Sequence, residues 1–72
     1  MKDKQLMMYV TKDPDLSRDR IPLVNSVEDC REIACEIFKE KGISNYEIVD
    51  EKFIEHPPNT IFSIYNVRIK YK

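Results

Sequence analysis

The stretch Ser26-Val27-Glu28-Asp29-Cys30-Arg31-Glu32-Ile33-Ala34-Cys35-Glu36-Ile37-Phe38-Lys39-Glu40-Lys41-Gly42 decides the fold. Cys30, Ile33, Ala34, Ile37 and Phe38 recur every three to four positions, which on a helix aligns them as one apolar stripe. Ser26 is a natural N-cap, with Asp29 three positions on in a capping-box-like arrangement. Glu28 and Asp29 place acid at the end of a helix that is electropositive. Lys39 and Lys41 fall in the last turn, and Gly42 supplies the stop. The spacing predicts a helix over 26–41 with one face to bury and one to show.

On either side the periodicity changes to two. Residues 5–11 alternate Leu6, Met8 and Val10 against Met7 and Tyr9, which reads as a strand with apolar groups on both faces. Residues 12–25 hold Asp13-Pro14-Asp15 and Ile21-Pro22 with charges of both signs. Proline removes a donor and disfavours helix just before it, so this segment reads as a long loop. Tyr46 to Ile54 is a second strand, Glu55 to Thr60 a turn around Pro57-Pro58, and Ile61 to Tyr71 a third strand. On that third strand Tyr65, Val67, Ile69 and Tyr71 share one face, and Phe62, Ile64, Asn66, Arg68 and Lys70 the other.

The expected fold class is therefore α+β, a single domain over residues 1–72 in the order βαββ. The last two strands form a hairpin, and a crossover through the helix joins the first strand to it. The simplest sheet is antiparallel throughout, order 1-3-2, with the helix on one face. The opposite face is then expected to show Met7, Tyr9, Val49, Phe53, Phe62 and Ile64. That is more apolar surface than a monomer usually exposes. A second copy meeting it through a two-fold interface is expected, the alternative being that the 12–25 loop folds back over it.

Composition excludes several classes. Of 72 residues, 42% are apolar and 35% charged, which is ordinary for a globular domain. No apolar run approaches the roughly 20 residues of a membrane span, and the first residues lack a signal peptide's apolar stretch. The expected location is the cytoplasm. One glycine, Gly42, is too few for a phosphate-cradling loop or a dinucleotide fingerprint. Cys30, Cys35 and His56 fall short of the four ligands of a structural zinc site, so no metal is expected. Cys30 and Cys35 are five apart, about 140° around a helix, and cannot bridge within it. A nucleophilic Cys35–His56 pair is conceivable, but His56 precedes Pro57-Pro58 and reads as a turn residue.

The net charge of −1 conceals two poles. Residues 1–24 carry +1, residues 25–56 carry −5 and residues 57–72 carry +3. Within the acidic segment Glu28, Glu32, Glu36 and Glu40 stand four apart, a row of like charges about 18 Å long on a helix. Glu47, Glu51 and Glu55 form a second acidic line along strand two. The basic pole is the competing signal. In the 1-3-2 sheet Lys2 and Lys4 lie beside Arg68, Lys70 and Lys72, with Tyr71 among them, a minimal nucleic-acid footprint.

The βαββ order over nearly the whole chain is similar to the dodecin-like topology, that of small flavin-binding oligomers. That resemblance implies an oligomer with a small ligand. Dodecins stack flavin on a tryptophan and this chain has none, so no cofactor is expected. In size, charge pattern and the Glu28/Glu32/Glu36/Glu40 row, the chain also resembles the small host-takeover proteins of bacteriophages that inhibit by DNA mimicry. That resemblance implies a non-enzymatic inhibitor, acting in the host cytoplasm. It would present carboxylates where phosphates sit and block the DNA site of a basic host DNA-binding protein, for example a histone-like nucleoid protein.

Overall fold

The helical stretch folds as its punctuation predicts. In a computed structural model, which describes residues 1–72, helix α1 runs Val27–Glu40. Ser26 Oγ accepts from the Asp29 N–H at 3.4 Å, and Asp29 Oδ2 accepts from the Asn25 N–H at 2.8 Å, closing the N-terminus reciprocally. At the other end Gly42 takes a φ of +82°. The Ile43 N–H reaches the Phe38 carbonyl at 2.8 Å and the Gly42 N–H the Lys39 carbonyl at 2.9 Å. This left-handed cap tucks Ile43 under the helix against Phe38, both buried.

Strands β1 (Lys2–Val10), β2 (Tyr46–Ile54) and β3 (Ser63–Tyr71) form one antiparallel sheet of order β1-β3-β2. The architecture is thus α+β with βαββ order, the long central strand shielded on both edges. β1 starts three residues earlier and β3 two residues later than the periodicity suggests. No helix is long and apolar enough to cross a membrane.

Register fixes which side chains share a face, because residues opposite each other project the same way. Met8, Tyr65 and Phe53 form one row across the sheet, and Leu6, Val67 and Glu51 the next. These rows lie under the helix. The other face carries the rows Tyr9–Ile64–Ile54 and Met7–Asn66–Lys52. A β-bulge between Ile48 and Asp50 reverses the alternation along β2. Phe53 therefore faces the helix, packed on the core, and does not belong to the open face. Ile54 takes that place, 44% exposed. The same reversal breaks the acidic line. Glu47 sits on the open face beside Lys70, whereas Glu51 sits under the helix.

The core is one cluster of nine residues: Val10, Val24, Cys30, Ala34, Phe38, Ile43, Tyr65, Val67 and Ile69. A 72-residue chain has room for little more. Phe38 meets Tyr46 edge to face at 5.2 Å. One ionic clamp adds direction to this apolar packing. Arg31, on the helix, donates from Nε and a terminal nitrogen to both Glu51 oxygens at 2.7 Å. The buried Tyr65 hydroxyl of β3 donates to Glu51 Oε2 at 2.6 Å. Helix, edge strand and central strand thus meet at one carboxylate.

The 12–25 segment has more structure than its composition suggests. Pro14–Leu16 forms a 3₁₀ turn capped by Asp13, and Thr11 pairs with Leu23. The Thr11 N–H bonds the Pro22 carbonyl at 3.1 Å, and the Val24 N–H bonds the Thr11 carbonyl at 2.8 Å. The loop closes on itself at the end of β1 and drops Val24 into the core. It does not fold over the open face, where Met7 is 55% and Tyr9 43% exposed.

The clamp makes stability depend on acid. Arg31 beside Glu51, helped by the Tyr65 hydroxyl, holds the Glu51 carboxyl below its ordinary range. A carboxylate more acidic in the folded than in the unfolded chain stabilises fully above its unfolded pKa, and that stabilisation is lost as pH falls through the folded one. Glu51→Gln should cost about 1–2 kcal/mol at neutral pH, mostly through Tyr65, because water screens the exposed guanidinium. Chemical denaturation from pH 7 down to pH 3, ~4 units across the carboxylate range, should show the gap between wild type and variant narrowing as Glu51 protonates. A gap constant with pH would exclude the clamp.

Candidate interaction surfaces

The outer face of α1 is the first candidate. Glu28, Glu32, Glu36 and Glu40 are all exposed. A step of four residues advances about 40° around a helix, so the row slants slowly across the side opposite the core. Arg31 is the only cation within ion-pair distance of it, 4.0 Å from Glu28 and committed to Glu51 at 2.7 Å. No lysine or arginine comes within ion-pair distance of Glu32, Glu36 or Glu40. Ile33 and the half-buried Cys35 lie between Glu32 and Glu36 in a shallow groove.

The remaining predicted acids do not join this row. Glu51 is spent inside the fold, its side chain 18% exposed. Glu55 pairs with Lys12 at 3.2 Å, and Lys12 also lies 5.5 Å over the Phe53 ring. Glu47 faces the other side of the sheet. The acidic surface is thus a helix face, not a helix-plus-strand face.

The open sheet face is the second candidate. One end is apolar: Tyr9 meets Phe62 edge to face at 6.3 Å, with Ile64, Ile54 and Met7 around them. Val49, at the bulge, is 38% exposed. Ile61, 58% exposed, stands just ahead of Phe62. The other end is ionic and internally balanced. Lys70 lies between Asp3 and Glu47, and Arg68 between Gln5 and Asp50. Opposite charges across strands stabilise each other.

That balance divides the predicted basic patch. Arg68 and Lys70 belong to the open face, each with acid across the ladder. Lys2 and Lys4 share the helix side with Tyr71 and Ile69. Lys2 sits 6.0 Å from the Tyr71 ring centre. Lys41, which charge reading assigned only to the helix terminus, joins Lys2, Lys4 and Lys72 there.

Cys35 and His56 are not brought together. Cys35 neighbours Tyr46, whose hydroxyl burial and that thiol hold above its ordinary pKa. His56 lies beyond the far end of β2, in a left-handed turn conformation with φ 50°. Nine strand residues at roughly 3.3 Å each separate the two ends. No three His, Cys, Asp or Glu side chains cluster as metal ligands would.

Comparison with protein-family models, curated proteins and solved structures finds no match to this chain. The residues that pattern reading missed are Ile54, Ile61 and Lys41. The apolar doublet Ile48-Val49, which breaks the alternation of β2, was the available sign of the bulge.

The two thiols should behave differently. Cys30 is fully buried, and burial, with Asp29 and Glu51 nearby, pushes its pKa up to about 11. Cys35 is half-buried and stands on the helix surface. Iodoacetamide on the folded protein should modify Cys35 alone, with Cys30 reacting only after denaturation, as read by peptide mass spectrometry. Equal labelling of both in the native state would place Cys30 outside the core.

Proposed function

We propose that this protein is a non-enzymatic interaction protein that docks the Glu28/Glu32/Glu36/Glu40 face of α1 on the basic surface of a DNA-binding partner, such as a histone-like nucleoid protein, and so blocks its DNA site. The observation that carries the reading is the contrast in pairing. The acids of the sheet face bases, Glu51 with Arg31, Asp50 across from Arg68, and Glu47 and Asp3 across from Lys70, and Glu55 just beyond β2 pairs with Lys12. The helix row of four carboxylates has a single cation within ion-pair distance, Arg31 at 4.0 Å from Glu28. An uncompensated row costs a few tenths of a kcal/mol for each neighbouring pair. A cationic partner would relieve that repulsion on binding.

The spacing sets the character of the contact. Duplex DNA carries one charge per about 1.7 Å of axis, whereas the row offers one per about 6 Å. It would compete through local charge and encounter rate, and salt would weaken it steeply. The partner would bring lysines and arginines arranged to grip a phosphate strand.

A homodimer belongs to the same proposal. Two copies meeting through Met7, Tyr9, Ile54, Phe62 and Ile64 would cover the apolar end of the open face. Each helix packs on the opposite side of its sheet. The two glutamate rows would therefore point outward, away from each other, and each would engage its own partner site.

The test is charge reversal. A variant with Glu28, Glu32, Glu36 and Glu40 all changed to Lys should lose at least about tenfold in affinity for the basic partner, while its circular dichroism stays helical. Raising salt should produce a similar loss in the wild type. Binding by the reversed variant at wild-type affinity would reject the acidic-face reading.

A further inference from the structure

The side chains on the inner face of β1 follow a rule that breaks at one end. Positions 6, 8 and 10 put Leu, Met and Val toward the helix, and positions 4 and 2 continue the same face with lysine. Lys4 is half-buried there, opposite the buried Ile69. An inward-facing site filled against its local pattern is where function is expected to override packing.

Those lysines do not stand alone. Lys2, Lys4, Lys41 and Lys72 line one cavity of about 450 Å³ at the C-terminal end of α1, and no Asp or Glu side chain lines it. None of the four has a carboxylate within ion-pair distance. The Gly42–Asn45 connection forms part of the lining. The backbone N–H groups of Ser44 and Asn45 have no backbone partner and remain free to donate. A helix C-terminus ordinarily disfavours anions. Here the Phe38 and Lys39 carbonyls are already taken by the N–H groups of Lys41, Gly42 and Ile43.

We infer that this cleft is a binding site for a phosphate-rich small anion, of the class of a triphosphate chain. Ammonium groups act as compact point charges that suit phosphate oxygens, and several converging from different elements match a ligand carrying several charges. The volume lies within the range of small-molecule sites. Its lining comes from three parts of the chain, the start of β1, the α1–β2 connection and the end of β3. The site uses none of the residues of the acidic helix row and stands or falls apart from it.

The probes are sodium triphosphate, a nucleoside triphosphate and a single-stranded oligonucleotide, titrated at low salt by calorimetry and by amide chemical-shift mapping. Triphosphate should bind at one site per chain and shift Gly42, Ile43, Ser44 and Asn45. A nucleoside triphosphate that binds more tightly than inorganic triphosphate would assign the source as a nucleotide. Equal affinity would assign the phosphate chain itself. The variant with Lys2, Lys4 and Lys41 all changed to Gln should lose at least about tenfold in affinity, and Lys52→Gln, on the open face, should lose none. Unchanged thermal midpoints in both variants keep the comparison clean, since all four lysines are at or near the surface. The inference is overturned if triphosphate does not bind at low salt, if the triple variant binds it normally, or if only the oligonucleotide binds.

Discussion

The bidentate contact of Arg31 with Glu51, closed by the Tyr65 hydroxyl, is the constraint on which the arrangement of surfaces depends. A single helix lying on a three-stranded sheet is held mainly by apolar contact, and apolar contact has little directional preference. Glu51 supplies the missing direction. Its two oxygens receive the helix from one side and the central strand from below. With Arg31 reaching across to Glu51, the helix is fixed about its own axis. Glu32, Glu36 and Glu40 then face away from the sheet, and the only cation in the middle of the helix is withdrawn from them.

The bulge in β2 makes that clamp possible. Had the strand alternated without interruption, residues 46, 48, 50, 52 and 54 would have shared the helix side. One extra residue between Ile48 and Asp50 moves Glu51 and Phe53 inward and Asp50 and Ile54 outward. An acid is thus carried under the helix while the open face stays apolar at one end. The same irregularity sets Asp50 opposite Arg68 on the open face.

Much of the fold was legible because local signals agreed with each other. The cap at Ser26, the apolar stripe and the stop at Gly42 each pointed to the same helix, and all three appear in the structure. The bounds of β2 and the 1-3-2 order followed from turn residues and chain economy. What could not be read was any feature that depends on contact between distant residues. Phe53 and Glu51 were misplaced because alternation propagates an error past a bulge. The loop's pairing of Thr11 with Leu23 is a backbone contact that side-chain pattern does not encode. Lys41 was assigned to its helix, but its neighbours Lys2 and Lys4 arrive from the other end of the chain.

The near-neutral composition resolves into three surfaces of different chemistry: a glutamate row with one cation beside it, a sheet face with balanced charge and an apolar end, and a lysine cleft lined by no Asp or Glu side chain. Opposite charges on such a small molecule usually neutralise one another, as they do on the open face. Their segregation on the helix side is the physical basis for reading the helix as a ligand for a basic surface. The central claim is that the row competes with DNA. It is tested most directly by adding the protein to a preformed complex of a histone-like nucleoid protein with a fluorescent duplex, and reading anisotropy at low salt. The account predicts stoichiometric release of the duplex, diminishing as salt is raised. A duplex that stays bound, or a rise in anisotropy from the protein joining the DNA itself, would contradict it.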